Sequence, residues 1–216
     1  MSTFIPTQAS KIVCVGRNYA KHAKELNNPI PKEPLLFIKP NTTIRPLAGG
    51  IDIPKNLGEV HHELEIALVI DSELKQATPQ EALQAISGIG LALDLTLRDV
   101  QAQLKEKHHS WEKAKCFDGA CPIECLTFKP SQADIEHLSL KLTINDKIKQ
   151  QGSADEMLFK PLDLIAYISQ WFTLMPGDVI LTGTPAGVGN LQKGDILKST
   201  LNVKEKVILD INSKVN

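Results

Sequence analysis

The hydrophobic pattern of the chain predicts short buried strands separated by turns. Apolar residues dominate residues 11–15, the second half of residues 63–70 and residues 89–95, as is typical of strands covered on both faces. In residues 138–144 apolar and polar side chains alternate, which indicates a half-buried strand, and residues 145–146 (Asn-Asp) predict the turn into its partner. The pattern therefore favours a fold built mainly from strands.

Helical signals are fewer and lie between these strands. Thr78 and Pro79 predict the N-cap and the first turn of a helix that ends near residues 87–88. Residues 96–99 offer a capping-box-like start for a helix that reaches Lys107. Pro161 predicts the start of a further helix with one apolar face.

Strands outnumber helices and do not alternate regularly with them, so the sequence predicts an α+β fold with a strand-rich core and a few peripheral helices. At 216 residues the chain suits one domain, which we assign to residues 1–216. The net charge of −1 argues against nucleic acid as a partner. No run approaches ~20 consecutive apolar residues, and the four cysteines form no C-x-x-C pair, so we expect a cytoplasmic protein that spans no membrane.

Three acidic residues occupy positions where buried strands are predicted. Glu63 and Glu65 lie two apart in a strand and so project from the same face, and Asp94 interrupts the apolar run at residues 91–95. Burying such groups is costly unless a cation compensates them. Two explanations are open at this point: each acid pairs with a Lys or Arg, or the three bind a hard divalent cation through oxygen ligands.

Residues 17–34 have the character of a lid laid over another part of the molecule. Residues 18–27 have helical composition, but about two to three turns are too few for a helix that is stable by propensity alone. Within this helix His22 and Glu25 are three residues apart and share one face. A histidine oriented by a carboxylate is the usual form of a general base, although such pairs are also common on protein surfaces.

Other features carry weaker signals. Arg17 precedes the lid helix and is either a clamp for a substrate carboxylate or a surface charge. Lys115 lies among apolar residues, but a lone lysine is usually solvated. Residues 182–189 are rich in glycine yet lack phosphate-loop and dinucleotide-binding patterns, so they indicate a tight turn or a close approach of the backbone to a small anion.

Taken in order, these motifs resemble the fumarylacetoacetate hydrolase family over about residues 11–212. The resemblance is closest to its short, single-domain acylpyruvate hydrolase and oxaloacetate-processing members. The motifs that carry it are GRNYA at 16–20 with His22 and Glu25, FIKP at 37–40, HHELE at 61–65, LD at 93–94 with Thr96 and RDVQ at 98–101, Lys115, and LTGTP at 181–185 with GVG at 187–189.

The resemblance implies a β-rich roll or sandwich of mixed sheets, usually assembled as a homodimer. It implies that Mg²⁺, or Mn²⁺ or Ca²⁺ in its place, is held by Glu63, Glu65 and Asp94. Larger members have a fourth acidic ligand near the start of the lid. This sequence has Arg17 and Asn18 there instead, so we expect no fourth ligand from this segment.

The resemblance also implies roles for the remaining site residues. The His22–Glu25 pair matches the catalytic dyad on the lid, and Lys115 matches the active-site lysine. Gln101 and Thr184 match residues on the substrate side, to which we add Arg17 as a substrate clamp.

The predicted activity is accordingly Mg²⁺-dependent hydrolysis of acylpyruvates, in which a carbon–carbon bond of a 2,4-dioxo acid is cleaved through an enolate that the metal stabilises. Oxaloacetate decarboxylation and oxaloacetate keto–enol tautomerisation use the same enolate and are the first alternatives. Isomerisation or decarboxylation of 2-hydroxymuconate-type diacids is another. The non-enzymatic alternative is a metal-dependent 2-oxo acid binding protein, which has no need of a general base.

Overall fold

The computed structural model of the protein describes residues 2–216. Within this range the chain forms short strands joined by loops and short helices. The strands are β1 (Thr3–Phe4), β2 (Ile12–Gly16), β3 (Leu35–Lys39), β4 (Ile44–Pro46), β5 (Gly49–Ile51), β6 (Val60–His62), β7 (Leu64–Ile70), β8 (Ile86–Leu93), β9 (Thr96–Leu97), β10 (Cys121–Thr127), β11 (Leu138–Ile144), β12 (Lys147–Ser153), β13 (Val179–Leu181), β14 (Gly189–Asn190), β15 (Ile196–Val203) and β16 (Lys206–Val215). The helices are α1 (Ala20–Glu25), α2 (Pro79–Ala85), α3 (Arg98–Glu106), α4 (Glu112–Lys115), α5 (Gln132–Glu136) and α6 (Pro161–Trp171).

The strand at the centre of the larger sheet, β7, is buried along its whole length. The order of this sheet is β1-β10-β8-β7-β13-β2-β3, with β4 beside β10. Every residue of β7 is buried, and β7 pairs antiparallel with both β8 and β13. A strand covered on both faces needs apolar residues at successive positions, so the prediction of a central strand in this segment is confirmed.

A second sheet, in the order β12-β11-β15-β16-β5, packs on the first through β11 and β15. Along β11 buried and half-buried positions alternate as predicted. The hairpin into β12 turns through Asn145 and Asp146, both of which have positive φ. Two consecutive residues with positive φ form the tight two-residue turn whose twist matches that of a β-hairpin, so the predicted turn is confirmed.

The predicted start of α2 is confirmed, because Thr78 and Glu81 form a reciprocal capping box. The predicted capping box at residues 96–99 is wrong. The Thr96 hydroxyl donates to the Asp94 carbonyl at 3.0 Å, and the Asp99 carboxylate accepts from the Glu59 backbone N–H at 3.1 Å. Both side chains are thus bound outside the helix, and α3 begins at Arg98 without a side-chain cap.

The lid helix α1 is shorter than predicted. It spans six residues, Ala20–Glu25, and gives way to Asn27 in the left-handed region with φ of 52°. A helix of this length depends on its tertiary contacts for stability. Across residues 2–216, no helix combines the length and the apolar character that a membrane crossing requires.

Candidate active site

The three acidic residues converge at one end of the larger sheet. In the antiparallel pairing of β7 and β8, Leu64 lies opposite Leu93, which brings Glu63, just before β7, beside Asp94, just after β8. Asp94 was expected inside a strand, but β8 ends one residue earlier, so its side chain leaves the apolar part of the sheet. One carboxylate oxygen each from Glu63, Glu65 and Asp94 lies within 4.8 Å of the others, and none of the three residues is more than 5% exposed.

Three cations surround two of these carboxylates. Lys115 Nζ lies 2.9 Å from Glu63 Oε2 and 2.5 Å from Asp94 Oδ2. Arg98 donates to Glu63 Oε1, and Lys39 Nζ lies 2.8 Å from Asp94 Oδ1. The explanation in which each acid pairs with Lys or Arg is therefore realised for Glu63 and Asp94. It is not realised for Glu65, for which residues 2–216 provide no cationic partner.

The pKa values follow this division. Burial raises the pKa of the Glu65 carboxyl well above its usual value, and the charges of Asp94 and Glu63 raise it further. Burial acts in the same direction on Glu63, but Lys115 and Arg98 outweigh it and hold the pKa of Glu63 well below its usual value. Burial lowers the pKa of Lys115, but Asp94 and Glu63 outweigh it and raise that pKa. Glu65 is thus the acid whose charge the cluster leaves uncompensated.

The donor set fits a hard divalent cation. Glu65 Oε2 accepts a hydrogen bond from the Gly183 N–H at 2.7 Å, and no lysine or arginine of the described chain lies within ion-pairing distance of it. Asp94 Oδ1 is close to Lys39 but receives no hydrogen bond, because the Lys39 ammonium is directed at backbone carbonyls, including that of Ala120 at 3.1 Å. Clustered carboxylate oxygens are the ligands that Mg²⁺, Mn²⁺ and Ca²⁺ prefer, so these three groups are suited to hold one such ion.

The base of the lid is fixed by Arg17 and Asn18. Arg17 has a positive φ of 60°, which is uncommon for a residue with a side chain. The buried Asn18 amide donates to the Phe159 carbonyl at 3.0 Å and to the Thr182 carbonyl at 2.8 Å, and its Oδ1 accepts from the Phe159 N–H at 2.8 Å. These hydrogen bonds hold the start of the lid against the Gly-rich segment.

The His22–Glu25 pair is formed on α1. His22 Nδ1 lies 3.3 Å from Glu25 Oε2, and Glu25 Oε1 accepts from the Gly187 N–H at 3.0 Å. Gly187 has φ of 101°, and a Cβ there would lie 1.8 Å from the Lys149 carbonyl oxygen, so this close approach requires glycine. Because Nδ1 is engaged by Glu25, Nε2 is the ring nitrogen of His22 that this pair leaves available.

The predicted site residues enclose a small cavity between the lid and the sheet. The cavity measures about 30 Å³, room for only about two water molecules. Asp94 lies beneath the cavity, bound to Lys115, and Glu25 lies behind His22. The remaining predicted residues line it directly: Arg17, His22, Glu63, Glu65, Gln101, Lys115 and Thr184. The structure therefore brings all the predicted residues together, while their individual roles stay predictions.

The family model described as "Fumarylacetoacetate (FAA) hydrolase C-terminal" matches residues 11–212, nearly the whole chain. The chain belongs to the fumarylacetoacetate hydrolase family. The resemblance inferred from the sequence motifs is thereby confirmed.

Individual members of this family extend the comparison. Oxaloacetate tautomerase YcgM of Escherichia coli is 50% identical over 196 residues and covers 89% of each chain. A crystal structure from Oleispira antarctica is 54% identical, with a TM-score of 0.94, over 96% of this chain and 94% of that one. The fumarylpyruvate hydrolase of Pseudomonas aeruginosa, solved in complex with Mn²⁺ and pyruvate, is 28% identical, with a TM-score of 0.86, over 96% and 89% of the two chains. The structural similarity confirms the predicted α+β fold, and the named members of the family are enzymes.

In this family member, α3 presents Arg98 and Gln101 on one face. Arg98 Nη1 donates to Gln101 Oε1 at 2.8 Å, while Nη2 binds Glu63. Because the Gln101 carbonyl oxygen is occupied, its Nε2 is the group left to donate into the cavity. Arg98 had no predicted role, and its spacing of three residues from Gln101 was the signal that could have suggested one.

Gln150 on β12 is a buried residue that the sequence analysis missed. Its Oε1 accepts from the Leu64 N–H at 2.9 Å and lies 3.0 Å from His62 Nδ1, while its Nε2 donates to Thr184 Oγ1 at 2.6 Å. The Thr184 hydroxyl donates in turn to the Leu64 carbonyl at 2.9 Å. Thr184 therefore presents an acceptor to the cavity, since its proton is committed to the backbone. His62 Nδ1 is thus engaged by Gln150.

Lys39 is a further residue whose role the sequence analysis missed. It belonged to a matching motif but had no predicted role, and it is completely buried at the end of β3. A lysine that ends an apolar strand and precedes a proline was the available signal, because so buried an ammonium needs a partner.

Proposed function

We propose that this chain is a keto–enol tautomerase of oxaloacetate that requires a divalent cation. The observation that carries the proposal is the combination, around one cavity, of a His22–Glu25 base with Lys115, which binds the carboxylate cluster. The similarity to the Escherichia coli oxaloacetate tautomerase supports this choice of substrate. The acylpyruvate hydrolase activity predicted from the sequence is less well supported and becomes the second candidate.

Tautomerisation transfers one proton from C3 of the substrate to the 2-oxo oxygen. The C3–H bond breaks, its electron pair forms the C2=C3 double bond, and the oxygen gains the proton. His22 Nε2 takes the proton from C3 and returns it to the oxygen, while Glu25 holds the ring in the orientation this requires. The Lys115 ammonium, kept protonated by Asp94 and Glu63, stabilises the negative charge that develops on the oxygen.

The other groups of the site position the substrate. A divalent cation held by Glu63, Glu65 and Asp94 supplies Lewis-acid polarisation of the 2-oxo group when bound. Arg17 and Gln101 Nε2 line the cavity and donate hydrogen bonds to the substrate carboxylate. Closure of the lid excludes bulk water from the proton transfer.

Acylpyruvate hydrolysis uses the same residues in a different order. His22 takes a proton from water, and the hydroxide adds to the distal carbonyl. The carbon–carbon bond then breaks, the acyl part leaves as a carboxylic acid, and the electron pair of the broken bond forms the enolate of pyruvate, to which His22 returns the proton. The intact dyad and the likeness to the Pseudomonas aeruginosa fumarylpyruvate hydrolase favour this second candidate.

Homodimer formation, a single domain over residues 1–216 and a cytoplasmic location also stay proposals.

The test is a substrate panel that follows enol absorbance. Oxaloacetate and acetylpyruvate are assayed with Mg²⁺ or Mn²⁺ and again with a chelator. We expect chelator-sensitive interconversion of the oxaloacetate tautomers, reduced at least about 100-fold in His22→Ala. The matched variant His109→Ala, which removes an exposed histidine, should retain it.

Faster cleavage of acetylpyruvate than tautomerisation of oxaloacetate would favour the second candidate. Turnover of neither substrate with metal present would refute both activities and favour a binding protein. Decarboxylation is distinguished in the same samples by measuring released CO₂.

A further inference from the structure

A third residue of α3 faces the candidate active site. Arg98, Gln101 and Lys105 are spaced i, i+3 and i+7, which places them on one face of the helix. All three line the small cavity beneath the lid. Lys105 is half-buried, and no motif or site prediction had included it.

The Lys105 ammonium differs in its partners from Arg98 on α3 and Lys115 on α4. Arg98 and Lys115 are both bound to Glu63, whereas no carboxylate in residues 2–216 lies within ion-pairing distance of Lys105. Burial lowers the pKa of Lys105 to about 8, and the positive charges of Arg17, Arg98 and Lys115 contribute to this shift. The cavity is therefore lined by a lysine that forms no ion pair with the described residues.

An aromatic wall, formed by Trp111 and Phe37, lies beside this cation. Lys105 Nζ lies 5.2 Å from the centre of the Trp111 ring, and Trp111 packs edge-to-face on Phe37 with ring centres 6.1 Å apart. Lys115 Nζ lies 5.1 Å from the centre of the Phe37 ring. The two ammonium groups therefore contact the same aromatic wall, Lys105 at Trp111 and Lys115 at Phe37.

We infer that Lys105 is a specificity-determining residue that binds the second carboxylate of a dianionic 2-oxo acid. This inference rests on the proposed function, in which the 2-oxo carboxylate end of the substrate lies at Glu63, Glu65 and Asp94. The far end of a four-carbon diacid then extends along the aromatic wall toward Lys105. An acylpyruvate with a neutral acyl group has no charge to place there, so Lys105 favours oxaloacetate over such substrates.

The test compares two unreactive ligands that differ in one group. Malate carries a carboxylate where 2-hydroxybutyrate carries a methyl group, and both are titrated calorimetrically into the Mn²⁺-loaded protein. Lys105→Gln should weaken malate binding about 10-fold, the usual effect of losing one hydrogen bond to a charged group, and change 2-hydroxybutyrate binding less than about twofold. Lys105→Arg keeps the charge and should retain most of the preference. Lys107→Gln, which alters an exposed lysine at the end of the same helix, should change neither affinity.

Equal weakening of both ligands in Lys105→Gln would overturn the inference, because it would indicate a structural role in the aromatic wall. An unchanged affinity for malate, or no preference for malate in the unmodified protein, would overturn it as well. Failure of the proposed function would be a separate result. Tautomerase activity is measured by turnover of oxaloacetate, whereas the preference for malate over 2-hydroxybutyrate is measured by binding and does not depend on turnover.

Discussion

Glu65→Gln is expected to remove the proton release that accompanies metal binding. In the metal-free protein, burial and the charges of Asp94 and Glu63 raise the pKa of Glu65, so it retains its proton to a higher pH than an exposed glutamate. A carboxylate must lose its proton to coordinate a cation. Binding should therefore release up to about one proton per ion at any pH below the raised pKa of Glu65.

Glu63→Gln provides the matched control, because it removes a ligand of the same type from the same cluster. Lys115 and Arg98 keep the pKa of Glu63 low, so Glu63 has no proton to release. Both variants should weaken metal binding, but only Glu65→Gln should abolish the linked proton release. The same linkage predicts that the metal-free protein becomes less stable as pH rises through the raised pKa of Glu65, and that Glu65→Gln loses this dependence.

The assay is calorimetric titration with Mn²⁺ in buffers of different ionisation enthalpy, whose slope gives the number of protons released. We expect a larger slope at mildly acidic than at alkaline pH for the unmodified protein and a slope near zero for Glu65→Gln. Equal slopes for these two proteins, or loss of the slope in Glu63→Gln instead, would refute the assignment of the uncompensated charge to Glu65.

Three further changes test the surroundings of the site. Lys39→Met leaves the buried Asp94 carboxylate and several backbone carbonyls without their cation. It should lower the free energy of unfolding, measured by urea titration, by roughly 3–5 kcal/mol. The control Lys206→Met, which alters an exposed lysine, should change it little. Gln150→Leu leaves a buried N–H and a buried hydroxyl short of a partner and should cost about 1–3 kcal/mol by the same measurement, with a lower kcat. Gly187→Ala should reduce turnover, because its Cβ meets a backbone carbonyl beside the lid contact. Gly194→Ala, which has a similar positive φ but open space around it, should not reduce turnover.

Local sequence patterns were sufficient for the elements that frame the site. The apolar run of β7, the capping box of α2 and the turn at residues 145–146 each depend on neighbours within a few positions, so they can be interpreted without the fold. The capping box predicted at residues 96–99 failed because its side chains bind partners outside the helix, including Glu59, which is 40 positions from Asp99. Local rules do not include such partners.

The sequence by itself determined the strand-rich class, the family resemblance and most of the charged residues that gather around the cavity. The distribution of charge within that set was decided only by the tertiary structure. Lys115 binds Glu63 and Asp94, which lie 52 and 21 positions away, and in doing so leaves Glu65 without a cation. Lys39 and Lys105 were overlooked for the same physical reason. The effect of a charged side chain depends on its burial and on the charged and polar groups near it. Those groups are distant in the sequence and come within a few ångströms only when the chain folds.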